Sequence, residues 1–244
     1  MAAVPLVGAV QNIAAPPQQA ARQPLRSKFV VQNALGTRTT DLAVRLLFGA
    51  RARLHDPHGV VLFTDGWLPY ESLFPAVFGR SFQPKRHGMR GRFPELQYRI
   101  PRTSGHVRII KSYQGKRVTD IRIERAAGSQ RRIDQELAAL GYTSPNTSAV
   151  ERHNGTARRM NPHQVRRSLA FARLPHVRQT VSDLVNGVYN ICRVNRSLRV
   201  KLDEPAGRRQ YAERTPAMAI GITDTVWSAR RLLGTVVLPT PCRS

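Results

Sequence analysis

Two carboxylates stand out in a chain that has few of them. Asp65 closes the apolar run Val60-Val61-Leu62-Phe63-Thr64 and is followed by a glycine, and Glu151 sits in "SPNTSAVERHNGTARR" with Asn154 three residues on and Arg158 seven on. An aspartate at the C-terminal tip of a parallel strand lies where α/β sheets hold their ligands. A hard divalent ion such as Mg²⁺ takes oxygen ligands there, from carboxylate, water and phosphate. A glutamate with an arginine two helical turns away would hold a metal and a substrate phosphate side by side. Each residue also has a plain structural reading. "TDG" suits a turn in which the aspartate accepts local backbone hydrogen bonds, and Ser148-x-x-Glu151 fits a capping box at a helix start.

The elements around these residues alternate. "KFVVQNALG" (28–36) has the character of a strand. "TRTTDLAVRLLFGARARLHD" has a helical period through Leu42, Leu46, Leu47 and Leu54, with Thr39 or Thr40 to cap it. "HGVVLFTDG" is a second strand, and "LPYESLFPAVFG" a short helix interrupted by Pro75 and ended by Gly79. Strand, helix, strand, helix predicts a parallel crossover and an α/β core. Residues 81–104 are loop-like and strongly basic. Val107–Tyr113 and Arg117–Arg125 predict a hairpin turning at Gln114-Gly115. A helix, a loop and a helix follow from Ser129, then a further helix at about Gln179–Cys192.

The chain has 39 Lys and Arg against 15 Asp and Glu, a formal net charge of +24 in 244 residues. That excess points to a polyanionic partner, with DNA the first candidate. Arginine carries most of it, which suits bidentate phosphate contacts and is equally what a G+C-rich genome encodes. The arginine pairs Arg131-Arg132, Arg158-Arg159, Arg166-Arg167 and Arg230-Arg231, with Asn154 beside the second, are the expected DNA-binding residues. No apolar run approaches the roughly 20 residues of a spanning helix, so no membrane partner is expected, nor a small-molecule substrate. Cys192 and Cys242 form no CxxC pair, which fits a reducing cytosol. Residues 1–27 lack the pattern of a secretory signal, and their Ala/Pro/Gln bias predicts a disordered leader.

Three blocks resemble bacterial insertion-sequence transposases of the DDE class, whose catalytic domain is ribonuclease H-like. "ALGTRTTDLAVRLL…GVVLFTDGWLPY" looks like that family's third strand, first helix and the strand with the second catalytic aspartate. "NTSAVERHNGTARRMNPHQVRRSLAFAR" is similar to the helix with the catalytic glutamate. "VYNICRVNRSLR…ERTPAMAIGITDTVWSARRLL" looks like the C-terminal stretch. The resemblance implies a partial ribonuclease H-like domain over 28–200, with a basic insertion at about 81–125 and a basic tail over 201–244. It implies Asp65 and Glu151 as catalytic carboxylates and metal ligands, Arg158 as the basic residue that follows the glutamate by seven, and two Mg²⁺ (or Mn²⁺) ions. The implied chemistry is phosphoryl transfer: cleavage of DNA at an element end and joining to a target. Partners would be DNA and a second copy of the chain, in the cytoplasm at the nucleoid.

The pattern has a gap. The family's first aspartate lies on a first strand, two strands before the first helix. Here no acidic residue precedes Asp41, which falls in that helix start, and Asp56 lies in the "HDPHG" loop. The expectation is therefore a truncated transposase, short by one carboxylate and by its first strands, and inactive alone. The other reading is a non-catalytic, basic DNA-binding protein that regulates transposition.

Overall fold

The computed structural model describes residues 2–7, 27–85, 92–164, 170, 174–206 and 209–235. Arg166, Arg167, Cys242 and residues 8–26 of the expected leader lie outside the described residues.

The fold is α/β with a mixed sheet at its centre. Strand β1 (Ala2–Val7) pairs antiparallel with β2 (Val30–Gly36). The chain then forms helix α1 (Thr40–Arg51), strand β3 (Val61–Asp65) and helix α2 (Leu68–Phe78). Two short strands, β4 (Arg80–Phe82) and β5 (Gln97–Arg99), pair antiparallel. They precede the long hairpin β6 (Gly105–Gln114) and β7 (Arg117–Ala127). Helices α3 (Gln130–Leu140), α4 (Ser148–Met160) and α5 (Pro175–Gly187) come next, α5 running into a π turn at Val188–Cys192. The remaining described residues form the antiparallel pair β8 (Val200–Ala206) and β9 (Arg209–Ala212), then short helices α6 (Pro216–Ala219) and α7 (Ala229–Gly234).

The central sheet has the order β3-β6-β7, with β3 parallel to β6 and β7 antiparallel to it. Period-2 alternation sends its residues to two layers. Leu62 packs with Leu42, Leu46 and Leu47 of α1 and Phe74, Val77 and Phe78 of α2 in the main core. On the opposite face Val107 packs against Ile133 and Leu137 of α3, with Val61 and Phe63 beside them. Helix α3 is bounded as its sequence dictates. Ser129 accepts from the Arg132 N–H, and Gly141 takes the left-handed conformation (φ 61°) that ends it.

Four expectations are corrected. Residues 2–7 are strand rather than disordered leader, and Pro5 is tolerated because, among the described residues, β1 pairs with β2 alone. The parallel crossover is β3–α2–β6, since β2 and β3 share no ladder. Residues 81–104 include strand residues of β4 and β5. Helix α2 runs through Pro75, its buried face of Tyr70, Phe74, Val77 and Phe78 holding it together. The hairpin forms where predicted, with the two-residue loop Gly115-Lys116 one position later than expected. Gly115 supplies the positive φ (62°) at the first loop position.

Among the described residues, the outer edge of β2 is closed by side chains and by no strand. Asn190 accepts from the Val30 N–H (2.9 Å) and donates to the Val30 carbonyl (3.0 Å). Gln179 accepts from the Leu35 N–H (3.0 Å) and donates to the Asn33 carbonyl (3.4 Å). A carboxamide has the donor and acceptor of a peptide group, so each side chain stands in for one residue of an absent neighbour strand.

Candidate functional site

Asp65 is the last residue of β3, at its C-terminal end, where the chain leaves the sheet for α2. The carboxylate is half-exposed (54%). Its Oδ1 accepts from the Trp67 N–H (3.2 Å), and its Oδ2 takes the Arg38 guanidinium at 2.7 Å. Arg38 in turn lies over the Trp67 ring, 4.9 Å from its centroid. The local turn bond read from "TDG" is therefore present, and it leaves the second oxygen directed outward to a cation.

Glu151 lies in the first turn of α4. The capping box is not formed. Thr147, not Ser148, is the cap residue, and Glu151 takes the Thr147 hydroxyl (2.8 Å) rather than a cap N–H. Its Oε1 also takes the Lys111 ammonium. That hydrogen bond holds the Glu151 carboxyl below its ordinary range, against a smaller opposing push from burial and with further help from Thr147.

Strand β6 connects the two acids. Asp65 is paired with Ile109, and Lys111 lies two residues further along β6 on the same sheet face. With strands about 4.8 Å apart and a rise of about 3.3 Å per residue, the Cα atoms of Asp65 and Lys111 are roughly 8 Å apart. Asp65 and the Lys111–Glu151 pair thus share one end and one face of the sheet, although the acids are 86 positions apart in sequence (151 − 65). Arg108, on the other face, is held by Glu71 (2.6 Å) and Glu124 (3.3 Å).

The expected basic residues divide. Arg158 and Arg159 are exposed in the last turn of α4, and Asn154 is half-buried between Arg158 and Glu151. Arg131 and Arg230 are exposed, and so is Arg231, whose guanidinium lies 4.3 Å from the Trp227 ring centroid. Arg132 is the exception. It donates to the carbonyls of Thr103 (2.9 Å) and Gly59 (3.4 Å) and pairs with Glu136 (2.8 Å), so it fixes α3 to the start of the sheet and is not offered to a partner. Sequence reasoning missed Arg38, Lys111 and Thr147. Arg38 and Lys111 meet their acids across 27 and 40 residues, and no local pattern marks such pairs.

A pair of hard divalent ions needs several anionic oxygens, one of them bridging. The donor set here is two carboxylates, each neutralised by an internal cation. Among the described residues no group of three or more His, Cys, Asp or Glu side chains is placed to hold an ion. These residues do not by themselves fit a two-ion site. Among the described residues no helix is long and apolar enough to cross a membrane. No family model, no curated protein and no solved structure matches this chain.

Proposed function

We propose that this chain acts on DNA in transposition, as a relative of DDE transposases with a ribonuclease H-like core, and that by itself it binds DNA without cutting it. One observation carries the reading: Asp65, at the tip of a strand parallel to β6, and Glu151, at the start of a later helix, face the same sheet end. The +24 charge and the exposed Arg158 and Arg159 on the Glu151 helix supply the polyanion surface. The internal cations favour a second reading, a DNA-binding regulator with no catalytic step, since Arg38 and Lys111 occupy the oxygens that a metal would use.

Two measurements test this. Duplex DNA affinity should fall at least about tenfold between 50 and 200 mM salt, as released counterions require. Arg158→Gln with Arg159→Gln should flatten that slope by roughly two phosphate contacts. Affinity that does not change with salt would remove the DNA reading. Mn²⁺ titration followed by electron paramagnetic resonance should show only weak binding in the unmodified chain. Arg38→Gln with Lys111→Gln should tighten it about tenfold or more by unmasking the carboxylates, and adding Glu151→Gln should abolish the gain. A double variant that binds Mn²⁺ no better than the parent would leave only the regulator reading. Metal-dependent nicking by the parent chain would overturn the statement that it does not cut.

A further inference from the structure

Strand β7 is an edge of the central sheet. Among the described residues it hydrogen-bonds β6 alone, and its side chains from Arg117 to Ile123 are all exposed. Two irregularities in the β6–β7 register, at Thr119 and at Ala126, bound a regular run from Asp120 to Arg125. Along that run alternate residues turn their backbone N–H and carbonyl outward, with no strand to receive them. Period-2 alternation sorts the side chains. Ile121 and Ile123 pair with Lys111 and Ile109, on the face of the sheet that carries Asp65. Helix α3 covers Val107 on this face, but Ile121 stays 53% exposed and Ile123 46%. Asp120, Arg122 and Glu124 lie on the other face, where Arg122 meets Glu124 at 2.8 Å and Arg108 holds Glu124 at 3.3 Å.

Open backbone groups accept any extended chain, so the side chains must select the occupant. The run balances two acids, Asp120 and Glu124, against two arginines, Arg122 and Arg125, in a chain of net charge +24. It is therefore poorly suited to a polyanion. It is suited to itself. When two copies pair antiparallel, facing residues share a sheet face, so the two-fold axis passes through one residue of each strand. An axis through Arg122 sets Arg122 against itself and Asp120 against Glu124, like charges throughout. An axis through Ile121 carries the pairing into the irregularity at Thr119. An axis through Ile123 sets Arg122 against Glu124 of the second copy, twice over. It also lays the two Ile123 side chains together and covers Ile121 with the stem of Arg125, all within the regular run. We propose that β7 is a homodimer interface, in which two copies join edge to edge about an axis at Ile123 and their central sheets become continuous. The irregularities on both sides keep the paired run short, so the dimer is a weak one. The interface stands without the DNA reading, since the pairing needs no nucleic acid.

Sedimentation equilibrium of the full chain without DNA, from about 1 to 200 μM, should show monomer and dimer with a Kd on the order of 10–100 μM, as suits a small interface. Ile123→Lys puts two ammonium groups on the axis and should weaken the dimer about tenfold or more. Arg122→Glu sets acid against acid at both charge pairs and should do the same. Ile123→Val should stay within about twofold of the parent. In a background of Cys192→Ser and Cys242→Ser, Ile123→Cys should cross-link on oxidation several times faster than Arg122→Cys, because facing Cβ atoms are about 4.5–5.5 Å apart and diagonal ones further. Far-UV circular dichroism and thermal melts check that each variant is folded. A chain that is monomeric at every concentration overturns the proposal. So does a dimer that Ile123→Lys and Arg122→Glu leave intact, which would place the contact elsewhere. Faster cross-linking at Arg122 than at Ile123 overturns the axis and with it the charge pairing that selects a second copy. A monomer whose duplex affinity falls with Arg122→Glu would assign the strand to DNA and refute the dimer.

Discussion

The protein should lose stability steeply between about pH 6.5 and pH 4, and one buried histidine should account for much of the loss. His106 is fully buried in β6. Its Nε2 is 2.8 Å from the Thr64 hydroxyl, its ring stacks on Phe74 at 5.1 Å, and among the described residues its Nδ1 has no hydrogen-bond partner. Burial, and secondarily the nearby Arg108 charge, push its pKa from 6.5 down to about 4. The unfolded chain therefore binds a proton that the folded one refuses across that interval. Stability is full above the unfolded value and drains away as pH falls toward the folded one. A shift of this size corresponds to about 3 kcal/mol, a large part of the roughly 5–15 kcal/mol that holds a domain together. His153, also buried and lowered chiefly by burial, adds in the same direction. Thermal melts from pH 7.5 to 4 should show His106→Gln less stable than the parent at neutral pH, with the two curves converging in acid. Parallel curves would show that His106 is not the group responsible.

This histidine was not legible as a buried group. "GHVRIIKSY" places it at the start of a strand, and nothing local says that its ring faces Phe74 across the sheet rather than solvent. What was legible rested on local chemistry. The apolar run ending at Asp65 forms a strand that stops there, Gly115 turns the hairpin, and a helix follows from Ser129. What failed was non-local. The Ala/Pro/Gln bias of residues 1–27 predicted a disordered leader, but residues 2–7 pair with β2, and an edge strand needs no N–H at every position, so Pro5 fits there. The sequence order β2, α1, β3 suggested one parallel sheet, whereas β3 takes β6 as its partner. Of the candidate site, the positions of both acids could be read from the chain. Their neutralisation by Arg38 and Lys111 could not, and it changes what the pair can do: an acid already matched to a cation offers a metal less than its charge suggests. Arg132 shows the same limit, because an arginine beside another reads as surface charge until its carbonyl partners are known.

The motif "YN" in "VYNICRVNRSLR" was read for its family resemblance, and in the fold it has a physical role. Tyr189 meets His153 edge-on at 4.5 Å, while Asn190 closes the outer edge of β2 with two hydrogen bonds to Val30. Asn190 is 6% exposed and Val30 5%, so water cannot replace the bonds if the side chain goes. Asn190→Ala would orphan a buried N–H and a buried carbonyl together, at about 1–3 kcal/mol each. The expected loss is therefore about 2–5 kcal/mol, measured as a lower urea midpoint with unchanged slope. Gln179→Ala removes the equivalent bonds at Leu35 and Asn33 from a half-buried position, where water can enter, and should cost clearly less. Asn190→Asp keeps an acceptor for Val30 N–H but sets a carboxylate against the Val30 carbonyl, so it should be no better than alanine and should recover in acid as it protonates. An Asn190→Ala protein within about 1 kcal/mol of the parent would mean that β2 finds another partner for its edge, and the side-chain substitute for a strand would then be incidental to the fold.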